Sequence, residues 1–293
     1  MRNRLLLTLF LSLLPILFVA ACSDDDDPSG PGDGTNPPVD VTLVATDRAG
    51  GDVYTVNAAT GAETLLIDTW VESAPRAPEG LGRISSMVYV SATSKWWLGS
   101  GGEGNCSGCV LTLDPESGEA SVLSSPAGDH HGGGVSGLAI HPDNGRIFTF
   151  CSDCGESFFE IDPATGEWTR LDDAVGTGNR GNGTTFSNDG RLFVVTDEHL
   201  FEVDYNDSSV DDLGELTYTG FPTFDGNRQP IVSMTTRPSD GAVFGILLDG
   251  GGQGEPGTSY LVRVNLATAE VTNVGENTAM LAGLAFVPTS LVD

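Results

Sequence analysis

The sequence contains very few basic residues. Lys95 is its only lysine, and 13 lysine and arginine residues stand against 41 aspartate and glutamate residues, which leaves a formal net charge of −28. Nucleic-acid binding requires basic patches that contact phosphates, so this composition argues against a nucleic-acid partner. The acidity favours a protein that stays soluble outside the cell.

The sequence also lacks the short motifs of several common enzyme classes. It has no GxSxG elbow, no HExxH, no P-loop, and no GxGxxG that opens a helix. No long window shows the 3.6-residue periodicity of an amphipathic helix. These absences favour an all-β protein without catalytic activity.

One hairpin pattern recurs five times. Its clearest copy is FFEIDPATGEWTRLD, from Phe158 to Asp172, in which apolar and polar residues alternate on either side of a tight turn. In that turn Asp162 can accept hydrogen bonds from the backbone, and Gly166 can supply the positive φ that reverses the chain. The copy that starts at Tyr260 has Ala269 in place of this glycine, so we expect a less ideal turn there. The remaining copies start at Val53, Val110 and Leu200.

A second apolar strand recurs ahead of these hairpins, at intervals of 51, 47, 49 and 50 residues. Its equivalent positions, each preceded by a small residue, are Met87, Leu138, Thr185, Met234 and Leu284. A unit of about 50 residues with four antiparallel strands is typical of a β-propeller blade. The first unit lacks this inner strand, and the chain closes with MLAGLAFVP, which is an inner strand alone. We therefore predict an all-β fold, a five-bladed β-propeller of four-stranded antiparallel blades over residues 41–293, closed by pairing of the N- and C-terminal segments.

The repeats from Val41 to Pro288 resemble β-propeller repeats of the NHL, YVTN and SMP-30 type. The resemblance implies the fold, and it is compatible with a non-enzymatic module that binds or scaffolds other molecules. The segment NRGNGTTFSNDGRLFVVTD, from Asn179 to Asp197, also resembles the Asn-Gly segment of SMP-30-like lactonases. That likeness implies an alternative, a metal-dependent hydrolase or lactonase in which Asn182 and Glu79 are metal ligands.

The N-terminal segment has the features of an export signal. Arg2 and Arg4 precede an apolar run from Leu5 to Ala21, and the sequence Val-Ala-Ala-Cys ending at Cys22 resembles the lipobox of bacterial lipoproteins. The resemblance implies a signal peptide over residues 1–21, with lipid attached to Cys22. Residues 22–40 are acidic and rich in proline and glycine, which predicts a flexible tether. We therefore predict a monomer anchored by lipid to the membrane of the bacterial cell envelope, on the periplasmic side or at the cell surface.

The connectors between blades are rich in polar and charged residues. In a propeller they emerge on one face together with the loops between second and third strands, around the mouth of the central channel. A small polar ligand or an envelope protein could bind there. The predicted mouth residues are Glu79, Arg83, His130, His131, Asn179, Arg180, Asn182, Asp225 and Arg228.

Four cysteines form two CxxC pairs in loops of neighbouring blades, Cys106 with Cys109 and Cys151 with Cys154. An exported protein meets oxidising conditions, which favour disulfides. Two CxxC pairs also have the spacing of a four-thiolate zinc site, and a redox role is a third possibility. In the hairpin that starts at Leu200, the segment from Asp204 onward has a calcium-loop-like spacing of oxygen donors. The sequence therefore indicates no definite cofactor, with zinc and calcium as the two candidates.

Overall fold

The computed structural model describes residues 40–48, 51–68, 84–101, 108–124, 134–151, 157–171, 182–196, 198–207, 209–222, 231–250 and 257–292. By its internal contacts the chain divides into two units, Met1–Pro38 and Val39–Asp293. The predicted signal peptide, Cys22 and nearly all of the predicted tether lie outside the described residues. No helix among the described residues is long and apolar enough to cross a membrane.

The described residues form five sheets, which are the five blades. Blade 1 contains β21 (Leu281–Pro288), β1 (Val41–Asp47), β2 (Val53–Val56) and β3 (Glu63–Ile67). Blade 2 contains β4 (Ile84–Val90), β5 (Lys95–Ser100), β6 (Val110–Leu113) and β7 (Ala120–Ser124). Blade 3 contains β8 (Val135–Ile140), β9 (Ile147–Cys151), β10 (Ser157–Ile161) and β11 (Trp168–Arg170). Blade 4 contains β12 (Gly183–Phe186), β13 (Leu192–Thr196), β14 (His199–Asp204) and β15 (Ser209–Glu215). Blade 5 contains β17 (Ile231–Thr236), β18 (Val243–Gly250), β19 (Gly257–Asn265) and β20 (Glu270–Asn277), with the short β16 (Thr217–Thr219) added at its edge.

The first strand of each blade, in the order given above, belongs to a closed inner ring. Around this ring β4 contacts β8, β8 contacts β12, β12 contacts β17, β17 contacts β21, and β21 returns to β4. The two ends of the domain meet in blade 1, where β1 pairs antiparallel with β21 from Val41 opposite Pro288 to Asp47 opposite Leu281. The predicted five-bladed propeller and its closure by the terminal strands are confirmed.

The hairpin turns have the chemistry that their sequences predict. Asp162 accepts backbone hydrogen bonds from Ala164 and Thr165 through Oδ1, at 2.7 and 3.1 Å, and Gly166 has φ +71°. In blade 5 Ala269 occupies the position of this glycine and is held at φ +55°. This positive φ is uncommon for a residue with a side chain, so the turn of blade 5 is strained, as predicted.

The hydrophobic core consists of layers between neighbouring blades. Each of the five blade interfaces has its own cluster of buried apolar side chains. Between blades 2 and 3, for example, Trp97 packs in one cluster with Leu138 and Ile147. Because the layers follow one another around the ring, each blade is stabilised by the blade on either side, and the ring has no terminal blade.

Blades 1 and 5 also meet at the outside of the molecule. A Cβ placed on Gly275, in the outer strand of blade 5, would lie only 1.9 Å from the backbone oxygen of Thr60 in the turn of blade 1. Beside this contact Asn277 Nδ2 donates a hydrogen bond to the oxygen of Gly61 at 2.7 Å. The two blades approach this closely because residue 275 has no side chain.

Glu63 stabilises the same junction. Its carboxylate accepts hydrogen bonds from the backbone nitrogen and the hydroxyl of Thr278 and from the backbone nitrogen of Ala279, the last at 2.8 Å. Partial burial opposes ionisation of Glu63, but these hydrogen bonds outweigh it, and the pKa of the carboxyl is lower than its usual value.

We expect Glu63→Gln to destabilise the domain at neutral pH and much less in acid. A lowered pKa in the folded state stabilises the fold above the pKa of the unfolded chain, and this stabilisation is lost as the pH falls through the folded-state pKa. Denaturant unfolding at pH 7 should show a loss of about 1 kcal/mol. The difference from wild type should shrink steadily below about pH 4. Glu276→Gln changes an exposed glutamate on the neighbouring strand and serves as the control. A Glu63→Gln deficit that is equal at pH 7 and pH 3 would contradict this role.

The short β16 departs from the prediction of four strands per blade. It lies parallel to β20, with Thr217 opposite Glu270 and Thr219 opposite Thr272. Three further contacts hold it there: the nitrogen of Thr217 donates to the oxygen of Ala269, the hydroxyl of Thr219 to Glu270, and Asn273 to the oxygen of Gly220. The chain leaving blade 4 therefore covers the outer edge of β20, which would otherwise be a long open strand edge.

Candidate functional site

The alternation of strand directions gives the propeller two different faces. The connectors between blades and the loops between second and third strands lie on one face, which we call the loop face. The turns between first and second strands and between third and fourth strands lie on the other, which we call the turn face. The predicted channel mouth belongs to the loop face.

The inner strands are irregular where they begin at the loop face. In blades 2, 3 and 5 the register between the first two strands shifts one residue into the inner strand, between Ile84 and Ser86, Val135 and Gly137, and Ile231 and Ser233. Blade 1 shifts at the equivalent end, and blade 4 does not shift. Bulges of this kind leave backbone groups outside the ladder, and they are common beside functional sites. Sequence alone did not reveal them, because an extra residue in one strand changes no motif.

Asn182 precedes the inner strand of blade 4, the blade without a bulge. Its side chain is only 4% exposed, and its Oδ1 atom is buried without a hydrogen-bond partner. Its backbone is fully engaged, since its nitrogen donates to the oxygen of Ile231 at 3.2 Å and its oxygen accepts from the hydroxyl of Thr184 at 2.9 Å. Buried polar atoms are usually paired, and Asn182 Oδ1 is one of five buried side-chain atoms without a partner among the described residues. Its position at the loop-face end of an inner strand makes it a candidate contact for a ligand.

The channel below this mouth is narrow. The inner strand β17 has Cα atoms within 8 Å of both β4 and β8, neither of which is its neighbour in the ring. The inner strands therefore approach one another closely across the axis, which leaves little room there for a ligand.

Of the nine predicted mouth residues, Asn182 is described. The other eight lie outside the described residues, and their placement stays a prediction: Glu79, Arg83, His130, His131, Asn179, Arg180, Asp225 and Arg228.

Two of the four predicted loop cysteines are described. Cys109 comes directly before the third strand of blade 2 and is 2% exposed, and Cys151 ends the second strand of blade 3 and is fully buried. Both thus border the loops between second and third strands, as predicted. Cys106 and Cys154 lie outside the described residues, so the choice among disulfides, a thiolate metal site and a redox role stays a prediction.

Within the described ranges no three His, Cys, Asp or Glu side chains converge closely enough to hold a metal ion. The hairpin with calcium-loop spacing is a regular part of blade 4, where Asp204 pairs with Ser209 across the turn. The Oδ1 atom of Asp204 accepts hydrogen bonds from the backbone and the side-chain amide of Asn206. This carboxylate therefore serves the turn.

The turn face carries a repeated arrangement of charge. In blade 3 Arg146 forms two hydrogen bonds of 2.7 Å with Glu160 and lies 4.9 Å from the ring centre of Phe148. In blade 4 Arg191 contacts Glu202 at 3.2 Å and lies 5.2 Å from the ring centre of Phe193. The hydrogen bonds from Arg146 lower the pKa of Glu160. Blade 5 differs. Its Ala242 is equivalent to the arginine of blades 3 and 4, and its Arg263 is equivalent to their glutamate.

A groove of about 740 Å³ opens on the turn face where blade 5 departs from this arrangement. It is bordered by Arg263 and Ala242, by Arg191 of blade 4, and by Asp240 and Glu270. Two hydrogen bonds with Arg237 and one from the nitrogen of Ala242 lower the pKa of Asp240 to about 2. Asp240 is therefore ionised at any ordinary pH.

One of the compared solved structures supports the fold. A chain of a nidogen/laminin complex superposes with a TM-score of 0.52 at 10% sequence identity, over 84% of this chain and 98% of that chain. At this identity the likeness concerns the fold alone. The extracellular domain of a proposed hybrid two-component system from B. thetaiotaomicron gives a TM-score of 0.42 at 12% identity, over 82% of this chain and 28% of the other. No protein-family model matches the chain, and no curated protein sequence matches it.

Proposed function

We propose that the protein is a binding module of the cell envelope, anchored by lipid at Cys22, which holds a small polar ligand or an envelope protein at its loop face. The observation that carries this proposal is the buried, unpaired side-chain oxygen of Asn182 at the loop-face end of the inner ring. A buried acceptor without a donor costs about 1–3 kcal/mol. A bound partner that donates a hydrogen bond there would remove that cost.

The described residues begin on the face opposite the proposed binding face. The oxygen of Asp40, at the turn face, accepts a hydrogen bond from Thr289 at the end of β21. Disulfides within the two CxxC pairs would stiffen loops on the loop face.

The SMP-30-like alternative uses the same mouth but needs a metal ion held by Asn182 and Glu79. Metal analysis of the protein purified without chelators distinguishes the binding module from the metal-dependent hydrolase. Stoichiometric divalent metal that is lost on Asn182→Ala would favour the hydrolase, and metal that is lost on substitution of Cys106 or Cys151 would indicate the thiolate site.

We expect Asn182→Leu to leave the free protein as stable as wild type or to stabilise it by about 1 kcal/mol, because it replaces an unpaired polar group with an apolar one. The control is Asn273→Leu. Asn273 Oδ1 is also buried and unpaired, but its Nδ2 donates to the oxygen of Gly220 at 3.1 Å, far from the mouth. This control should lose about 1 kcal/mol. Denaturant unfolding measures both changes.

The binding test uses thermal unfolding with a panel of sugars, amino acids and nucleosides, together with capture of envelope proteins on the immobilised domain. We expect a binder that stabilises wild type and Asn273→Leu but not Asn182→Leu. If Asn182→Leu destabilises the free protein as much as Asn273→Leu does, Asn182 has a structural role and the proposal loses its support.

A further inference from the structure

The groove on the turn face is a second candidate site, and the evidence for it does not depend on the loop face. Five cationic side chains are described on the turn face, and four of them form salt bridges with carboxylates. Lys95 contacts Asp114 at 2.9 Å, and the arginines at 146, 191 and 237 contact Glu160, Glu202 and Asp240 at 2.7, 3.2 and 2.5 Å. Arg263 is exposed and forms no salt bridge or hydrogen bond with a carboxylate among the described residues, although its charge helps to lower the pKa of the nearby Asp240. This is unusual in a protein with about three acidic residues for each basic one.

The register of the blades explains why Arg263 has no partner. Phe148 lies opposite Glu160 in blade 3, Phe193 lies opposite Glu202 in blade 4, and Phe244 lies opposite Arg263 in blade 5. The residue two positions before each phenylalanine is Arg146, Arg191 and Ala242, respectively. In blade 5 the arginine is therefore on the third strand instead of beside the second. The methyl group of Ala242 occupies the position where a charged partner for Arg263 would stand.

The groove lies where the charged partner of Arg263 is missing. Both Ala242 and Arg263 border it, and its volume of about 740 Å³ is within the usual range for a small-molecule site. The guanidinium carbon of Arg263 lies 5.4 Å from the ring centre of Phe244, and the N–H groups of this guanidinium have no hydrogen-bond acceptor among the described residues.

A second arginine over the aromatic ring of Phe244 already binds a carboxylate. Arg237 also lies 5.4 Å from the centre of Phe244, and it donates two hydrogen bonds to Asp240, from Nε at 2.8 Å and from Nη2 at 2.5 Å. Planar, bidentate pairing with carboxylates is the interaction for which guanidinium is best suited. Arg263 offers the same donor geometry without an internal acceptor.

We infer that the groove between blades 4 and 5 binds the carboxylate of a small molecule or of a peptide terminus through Arg263, in the place that a glutamate side chain would fill. The remaining groove residues favour a ligand that also carries a hydrogen-bond donor. Glu270 receives a single described hydrogen bond, from the hydroxyl of Thr219, and retains further acceptor capacity, and Thr272 lies beside it. A hydroxy acid, an amino acid or a peptide end meets both requirements.

The test compares carboxylates with their amides. Lactate, glycine and triglycine, each with its amide counterpart, are titrated into the purified protein while the arginine Nε–H signals are followed by NMR. We expect the Arg263 signal to shift with carboxylates and not with amides. Triglycine separates a peptide terminus from a small free acid. The inference is overturned if amides bind as well as acids, or if no carboxylate shifts the signal at about 10 mM.

Three variants locate the binding. Arg263→Gln should weaken carboxylate binding by about tenfold or more, since a charged bidentate pair is lost. Ala242→Glu should block binding while retaining Arg263, because it restores an internal carboxylate beside that guanidinium. Arg146→Gln is the matched control, an arginine over an aromatic ring in another blade, and should bind as wild type does. Equal binding by all three variants would place the carboxylate elsewhere and overturn the assignment.

Discussion

Gly137→Ala is expected to lower the free energy of unfolding by about 3 kcal/mol, because it inserts a methyl group into the inner ring. A Cβ at residue 137 would lie 2.3 Å from the hydroxyl oxygen of Thr184 and 2.5 Å from the backbone oxygen of Asn182. Real Cβ contacts are never this short, so the inner strands of blades 3 and 4 must move apart. In a domain of this size the change corresponds to a fall in Tm of roughly 6–12 °C, measurable by circular dichroism.

Gly145→Ala separates this clash from backbone strain. Gly145 has φ +68° and no atom within 4 Å of the position of an added Cβ. The Gly145→Ala variant should lose only about 1 kcal/mol of its free energy of unfolding, which is the cost of a positive φ for alanine. Equal losses for the two variants would show that the inner ring is more open than the structure indicates. The clash at Gly137 also reaches the backbone of Asn182, so the same variant should weaken any ligand bound at the mouth.

Removal of residues 281–293 is expected to abolish cooperative folding. The deletion takes away β21, which pairs with β1 along its whole length and contacts the inner strands of both neighbouring blades. Blade 1 would lose its inner strand, β1 would become an open edge, and two of the five interblade layers would be exposed. Denaturant titration should show no sharp transition, and size-exclusion chromatography should show aggregates.

A shorter deletion provides the control. Removal of residues 289–293 keeps all of β21 and takes away the contacts of Thr289 with the backbone of Asp40 and the hydroxyl of Thr42. This variant should unfold cooperatively, with a loss of about 1–2 kcal/mol. If the longer deletion also unfolds in a single sharp transition, the remaining four blades are stable by themselves and the closure is not essential.

Repeats made most of the fold predictable. The interval between Met87 and its four counterparts set the number of blades, and the turn around Asp162 and Gly166 set the hairpins. The absence of an inner strand in the first unit predicted the pairing of β1 with β21. All of these features depend on local chemistry repeated five times, which a single sequence displays directly.

Two features of the fold needed the structure. The β16 strand comprises three residues, Thr217–Thr219, and each of them pairs with a residue 53 positions further along the chain. No local pattern distinguishes such a segment from a loop. The register shifts at the inner strands also depend on how neighbouring strands align, and alternation within one strand does not report that alignment.

The candidate sites were likewise predictable only in part from the sequence. Asn182 was predicted from its place in a polar connector between blades and from a resemblance, but its burial and its unpaired oxygen depend on the surrounding blades. The carboxylate groove was missed, although the sequence contained a signal. Aligned repeats read Arg146-Ile-Phe, Arg191-Leu-Phe and Ala242-Val-Phe, and the exchange of arginine for alanine marks the altered blade. Its meaning required the register that places Arg263 opposite Phe244.

By itself the sequence determined the all-β class, the five blades, the closure of the ring and the chemistry of the turns, because each follows from short-range periodicity and from the conformational preferences of Asp, Asn and Gly. Tertiary structure alone decided which polar groups are left without partners. Burial of the Asn182 oxygen and the absence of a salt bridge at Arg263 among the described residues result from contacts between segments that are about 20 to 50 residues apart in the chain. The partner of a side chain is a property of the packed blades, and so both candidate sites emerge only when the ring is closed.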